Sequence, residues 1–459
     1  MANRHETLRK LIKTGAVFTP DDEGYAESLV RWSRAAIKPA AVVAQVGSAE
    51  EASAAVTYAT SNDIPLVVMG GGHSTSGSSS IDDGLVIDLR RLNSVLVNPE
   101  ARTVTFGGGC KWIEVDAACY EHGLATVGGT VNHTGVGGLT LGGGFGWLSS
   151  KYGLTVDNLI SAQVVLADGQ IVRASDEENQ DLFWAIRGAG QNFGVVTSFT
   201  AKAYPQGEVW AGPLIFTLDK MRQVVDFANW FHEHNTGDES FWFGPLGAAP
   251  GVPTPIILCM VFMNGTQADG EAFYRPLLDL GPVANMAKQM PYKNANDRVP
   301  NRHEELRRLQ GGASIVMPLD AKLVERVINE FVPFVTERNI GLGSGIIFEI
   351  FPYRKICEVP RDATAFPSRG PFYHTASMFT WSDQAMDDEI RQFNRKMINM
   401  IREKGFLGNG GQYNNYDGEY LDPNRAFGQN LQRLQELKKK YDKNNVFSKW
   451  HSVWPATAS

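Results

Sequence analysis

Cysteine is scarce in this chain. Cys110, Cys119, Cys259 and Cys357 are all there are, and no two form a C-x-x-C pair. That spacing excludes a cysteine-built zinc site and fits reduced thiols without a catalytic role. No apolar run reaches the roughly 18 residues of a membrane span. The stretch MANRHETLRKLIKTG lacks the apolar core of a signal peptide, so a cytoplasmic location is expected. Positive charge is not in excess: the net charge is −7, which argues against nucleic acid as a partner. The P-loop, nucleophile-elbow and H-E-x-x-H zinc signatures do not occur, and no metal site is expected. Gly188 to Gly194 gives G-x-G-x-x-x-G, one residue off the dinucleotide fingerprint, and it follows the helical run DLFWAIR instead of a strand. Both features weigh against a Rossmann site.

At 459 residues the chain is long for one domain, and its composition is that of a globular protein. Ser48 to Glu51 reads as a capping box, with Ala52, Val56 and Ala59 on one helical face. Ile64 to Met69, Val86 to Leu89 and Thr103 to Phe106 read as strands, and Lys111 to His122 as a helix. Asp168-Gly169 between two apolar runs signals a two-residue hairpin. Ser175 is expected to cap a helix that ends at Gly188. Strands and helices mix without a regular βαβ repeat, so the fold class is α+β. Beyond Pro205, long strands such as Thr254 to Met263 and Ser344 to Phe351 alternate with long helices near Asp320 to Arg338 and Asp383 to Lys404. That pattern predicts an antiparallel sheet covered by helices. The segment from Gly411 changes character again, with QYNNYDGEYLDPN, a charged helix and an aromatic tail.

Glycine is where the sequence is most informative. GVGGLTLGGGFG, from Gly135 to Gly146, has glycine at seven of its twelve positions. Glycine lets backbone approach a ligand closely, and free N–H groups in such a stretch cradle phosphate oxygens. Gly70 to Gly77 and Gly188 to Gly194 are two further clusters. Three such loops suggest one large, extended cofactor with a pyrophosphate. His73, between GGG and STSG, is expected to touch it.

PLVVMGGGHSTSGSSSIDDGLVIDLRRLN resembles the FAD-binding segment of the vanillyl-alcohol oxidase and p-cresol methylhydroxylase superfamily. GGTVNHTGVGGLTLGGGFGWLSSKYGLTVDN, DLFWAIRGAGQNFGVVTSF, YNNYDG and FGQNLQRLQELKKKYDKNNVFSKWHSVWP resemble its berberine-bridge-enzyme-like branch. The likeness covers about residues 38 to 203 and 411 to 455. It implies a two-part FAD domain of the p-cresol methylhydroxylase type around a central substrate domain, with divisions at 1–205, 206–410 and 411–459. His73 takes the place of the histidine that bonds the flavin 8α-methyl carbon. Val131 stands where many members have a second, cysteinyl attachment, so a single bond is implied, as in the mono-covalent branch that includes 6-hydroxy-D-nicotine oxidase. Met69 replaces the usual arginine before the turn. FAD contacts are expected from Gly70, Gly71, Gly72, Ser74 and Gly77. Further contacts fall to Gly129, Gly135, Gly138, Gly142 and Gly143, and to Asp157, Asn158, Val196 and Asn415.

The resemblance implies an oxidase that takes hydride from a C–OH or C–N centre of a small molecule and is reoxidised by O2. An oxidative cyclase, a dehydrogenase and a flavin-bound protein without turnover are the alternatives. Flavin supplies the hydride acceptor, and the protein supplies orientation and a base. Tyr413, which opens the Y-x-N-Y segment, is the leading candidate base. Glu349 is second, and Tyr416 supports. Tyrosine titrates near 10 and needs activation by its surroundings. Glu349 shares one strand face with Ile347 and Phe351. The pocket is expected to include Val131, His133 and Phe351. Tyr373 and His374 are further candidates, but they point to opposite faces, so at most one should reach it.

Overall fold

The computed structural model describes residues 5–249, 251–297, 306–405, 408, 411–416 and 422–454. The expected boundary residue 410, and Asp417 and Gly418 of the YNNYDG motif, lie outside these. The architecture is α+β, with three main sheets. The first orders Ala16–Phe18, Val42–Gln45, Leu85–Asp88 and Leu66–Met69, the last three running parallel. The second is antiparallel: Val95–Asn98, Thr103–Gly107, Val195–Lys202, Leu159–Val165, Ile171–Ser175. The third has eight strands, all antiparallel. Its main path runs Ala284–Asn285, Glu208–Phe216, Ile256–Met263, Glu239–Leu246, Gly345–Ile350, Tyr373–Trp381, Arg307–Ile315.

Local chemistry explains where these elements start and stop. Ser48 Oγ accepts from the Glu51 N–H at 3.2 Å and opens the helix Ala49–Ser61, which buries Ala52, Val56 and Ala59. The box is only half made. The Glu51 carboxylate instead accepts from the N–H groups of Lys13, Thr14 and Gly47, pinning the N-terminal segment. The hairpin at Asp168-Gly169 is wider than two residues. Leu166 N–H reaches Gln170 O at 2.9 Å, and Gly169 takes the left-handed conformation at φ 85°. Ser175 caps a turn and not a helix: its Oγ accepts from Glu177 and Glu178 N–H. The helix starts later, at Gln180, and breaks at Gly188 with φ 137°.

Strand alternation gives the third sheet two unlike faces. Phe241, Phe243, Ile346, Phe348 and Ile350 meet the helices Met221–His234, Ala321–Glu337 and Asp387–Arg402 in the largest core. The opposite face looks toward the first two sheets. The C-terminal helix Leu431–Tyr441 packs Leu431, Leu434 and Leu437 against Leu182 and Phe183. Buried Lys438 fastens it, donating to the carbonyls of Asn192 and Phe447 and to Asp442, each at 2.7 Å. The chain therefore leaves the first core, builds the third sheet and comes back. All four cysteines are free, with Cys357 exposed and the rest buried. No helix of the described residues is long and apolar enough to cross a membrane. No cluster of three metal-ligating side chains occurs among them.

Candidate active site

A cavity of about 1230 Å³ runs between the glycine loops and the open face of the third sheet. Pockets for one small ligand usually hold about 300–1,000 Å³, so this space suits a dinucleotide and a substrate together. One wall begins where the parallel strand Leu66–Met69 ends in Gly70, Gly71 and Gly72, the strand end at which open α/β sheets bind ligands. Gly135 and Gly138 face it, with Val131 and Val196 alongside. The two loops touch back to back. A Cβ on Gly71 would lie 2.5 Å from Gly135 Cα, and one on Gly135 would lie 2.4 Å from Gly71 N. Neither position tolerates a side chain. Gly138 has nothing within 4 Å of its Cβ position, so its open side faces free space.

His73 lies in the same wall, stacked on Trp32 at 4.2 Å between ring centroids. Its Nε2 is 2.9 Å from His133 Nδ1. His133 therefore stands behind His73 and does not line the cavity. Ser74 lines it and shares hydroxyl contacts of 2.9 Å with Ser76 and Ser78. Ser79 lines it too, and its Oγ is buried without a hydrogen-bond partner. Unspent polar atoms, side-chain-free backbone and apolar strips fit an extended group with a diphosphate and a ring system.

The opposite wall comes from three distant segments. Tyr413, Asn415 and Tyr416 flank or form the short turn Asn414–Tyr416. Asn415 Nδ2 donates to Leu139 O at 3.1 Å and to Tyr413 Oη at 3.0 Å. Gly142 makes this possible, because a Cβ there would sit 2.1 Å from Asn415 Oδ1. Tyr416 is seated over Gly312, whose Cβ would approach it to 2.9 Å. Tyr416 Oη donates to Glu349 Oε1 at 2.9 Å, while Glu349 Oε2 is buried without a partner. Burial pushes the Glu349 carboxyl up to about 8, against the lowering effect of the Tyr416 hydrogen bond. Burial pushes Tyr413 and Tyr416 well above the ordinary phenol value.

Glu349 pairs in register with His374 on the next strand. The His374 ring stacks on Phe145 at 5.5 Å, and burial lowers it to about 4, so it is neutral near pH 7. His374 thus sits behind Phe145 and does not itself line the cavity, and Tyr373 goes the other way. Its hydroxyl is 2.9 Å from His232 Nδ1 under the helices, far from the cavity face. Phe351 lies past the strand end and packs on Phe145 and Trp147, one layer behind the lining.

Several expected cofactor contacts do other work. Asp157 forms a two-pronged ion pair with Arg369 at 2.9 and 2.5 Å. Asn158 donates to Tyr152 O and Leu154 O and accepts from Tyr204 Oη. Gly143 leaves room for Phe366, and Gly129 for Leu139. Of the expected contacts, Asp157, Asn158, Gly129, Gly143, Gly142 and Gly77 do not line the cavity. Sequence reading missed Trp32 and the sheet residues Trp242, Met260 and Met378, all of which do. The alternation in FWFGPL, IILCMVFM and YHTASMFTW could have found the sheet residues, but nothing marks Trp32.

With this geometry in hand, the likenesses to known proteins are specific. Residues 39–175 match a family model described as an FAD binding domain, and 412–453 one described as berberine and berberine like. An FAD-linked oxidoreductase of Aspergillus terreus is 36% identical over 472 aligned residues, covering 98% of this chain and 96% of its own. Another, from Aspergillus fumigatus, is 29% identical and covers 96% of this chain and 97% of its own. Among solved structures, 6-hydroxy-D-nicotine oxidase of Arthrobacter nicotinovorans superposes with a TM-score of 0.84 at 25% identity, covering 97% of this chain and 99% of its own. A xylooligosaccharide oxidase from Myceliophthora thermophila, bound to xylobiose, shares the fold with a TM-score of 0.84 at 24% identity, covering 99% of each chain.

Proposed function

The chain belongs to the FAD-linked oxidoreductases of the berberine-like type, and from that premise we propose that it oxidises a C–OH or C–N centre of a small organic molecule. FAD is held covalently through His73 alone, and O2 is the terminal oxidant. The observation that carries this reading is the Glu349–Tyr416 pair, which shares one cavity with His73 and the glycine loops. Gly70 to Gly72, Gly135 and Gly138 offer backbone to the cofactor, and Asn415 fixes the turn beside it. Bound FAD supplies the acceptor for the substrate's hydride.

The remaining work falls to side chains. Glu349 Oε2 is the atom placed to take the hydroxyl or ammonium proton. A carboxyl held near 8 is matched to a proton transfer close to neutrality, which is where a general base is most effective. Tyr416 orients that carboxyl through Oε1. Tyr413 accepts from Asn415 and is driven further from ionisation by burial, so it shapes and orients and does not act as base. This reverses the order expected from the motif. His374, neutral and in register beside Glu349, brings no charge to the carboxyl's surroundings. The chain divides into an FAD-binding part at 1–205, a substrate part at 206–410 and a returning segment at 411–459.

The test is anaerobic mixing of the purified protein with alcohols, sugars and cyclic amines, read as flavin bleaching, followed by admission of O2. Bleaching by at least one class and recovery in air are expected. Failure of every class to bleach the flavin overturns the proposal. On a denaturing gel in acid the parent should fluoresce and His73→Ala should not. Release of all flavin from the parent by acid overturns the covalent bond.

A further inference from the structure

Five large apolar side chains on the cavity face of the third sheet are only half buried: Trp242, Leu246, Leu258, Ile347 and Met378. The strand ladders arrange them in rows leading away from Glu349. Trp242 is registered beside Glu349, and Ile347 beside Ala376. Gly345 has Leu246 on one side and Met378 on the other. Four residues of strand separate Glu349 from Gly345, roughly 13 Å. The lane then continues to the mouth. There Ala248 is bridged to Leu342, which lines the cavity and is 48% exposed. Large apolar groups in contact with water along a continuous track mark a binding surface.

Thr380, Ser344 and Arg338, beside the track, are turned to their own chain. Thr380 Oγ1 donates to Gly343 O, and Ser344 Oγ accepts from Thr380 N–H, each at 3.0 Å. Arg338 is held by Glu389 at 2.6 Å. Sugar hydroxyls laid along this track would exchange water for unmatched apolar surface, and such mismatches are what polar ligands tolerate least. An alkyl or aryl tail would cover the half-buried side chains instead.

We propose that the substrate is an elongated, largely apolar alcohol or amine. Its reacting end lies at Glu349 and Tyr416, and its tail runs over Ile347, Leu246 and Met378 toward Leu342. This rests on the oxidoreductase reading above and adds the substrate class to it.

The probes are 1-alkanols and 1-alkylamines of three to ten carbons, their unreactive methyl ethers, and cellotriose. Holoenzyme is used throughout. Binding is read as a change in flavin absorbance or tryptophan fluorescence, and reduction as anaerobic bleaching. Each added methylene should tighten binding about fourfold until the tail reaches the mouth, with little change in the limiting reduction rate. Met378→Glu should flatten that dependence while the flavin content stays at the parent level, and Leu246→Ser serves if Met378→Glu does not fold. Affinity that ignores tail length, or tighter binding of cellotriose than of decanol, overturns the proposal. If cellotriose bleaches the flavin and the alkanols do not, the substrate class falls and the oxidoreductase reading stands. If the ethers show the length dependence but no probe bleaches the flavin, the apolar lane stands and the oxidation reading falls.

Discussion

Ile347 and Phe348 leave the same strand in opposite directions. Phe348 is 0% exposed beneath the helices, in a core that also holds Phe243, Phe331 and Phe379. Ile347 is half buried with only the cavity above it. The same alternation separates Tyr373, fixed to His232, from His374 beside the Tyr413 ring. One face of the sheet is built to hold the domain together. The other leaves apolar surface uncovered and carries a buried carboxyl oxygen without a partner, which a protein selected only for stability would avoid.

The widest gap between the faces should appear in rate. Glu349→Gln keeps the shape and the Tyr416 contact but removes the proposed base. Flavin reduction should slow about 10² to 10⁴-fold, and Tyr413→Phe should cost less. If stopped-flow gives the reverse order, the phenol is the base. Next comes stability. Phe348→Ala should cost about 3–5 kcal/mol in denaturant unfolding, with the reduction rate of folded protein little changed. A Phe348→Ala protein as stable as the parent would erase the distinction between the faces.

Titration sharpens the comparison further. Glu349 is pushed from 4.5 to about 8 in the folded chain, so between those values the folded state keeps a proton that the unfolded state has released. Stability therefore is highest below about pH 4.5 for this group and falls as pH rises toward 8. Asp116, buried and pushed up to about 7, acts in the same direction. The melting temperature of Glu349→Gln should fall less than the parent's between pH 5 and 8; parallel curves would mean the carboxyl is not buried as described. The smallest effect belongs to Ile347→Ala. At a half-buried site facing a cavity it should cost roughly 1 kcal/mol, while weakening ligand binding measurably in the same titrations.

Much of the site was legible because backbone requirements write themselves into sequence. Gly71 and Gly135 cannot be anything else where two loops touch, and Gly142 must yield to Asn415. Glu349 was visible because a carboxyl in an alternating apolar strand needs a reason. What stayed hidden depends on partners from elsewhere. Asp157 reads as a cofactor contact until Arg369 is found beside it. Trp32 stacks on His73 from a segment with no pattern of its own. What burial does to Tyr413 and Glu349 was not legible either: it moves the carboxyl toward pH 7 and the phenol away from it. Ser175 and Ser48 look alike as caps, and only the turn through Asp176 to Asn179 tells them apart.

The contact between Asn415 and Leu139 spans 276 residues. A ribosome working at about 5–20 residues per second makes the glycine loop roughly 14–55 s before the segment that closes over it. The nascent chain thus passes through a stage with its first sheets complete and its carboxyl-to-phenol pair still unmade. The wall that carries Glu349 and Tyr416 is therefore completed only when translation has all but ended, and a product truncated before Tyr413 would lack it even with its first sheets formed.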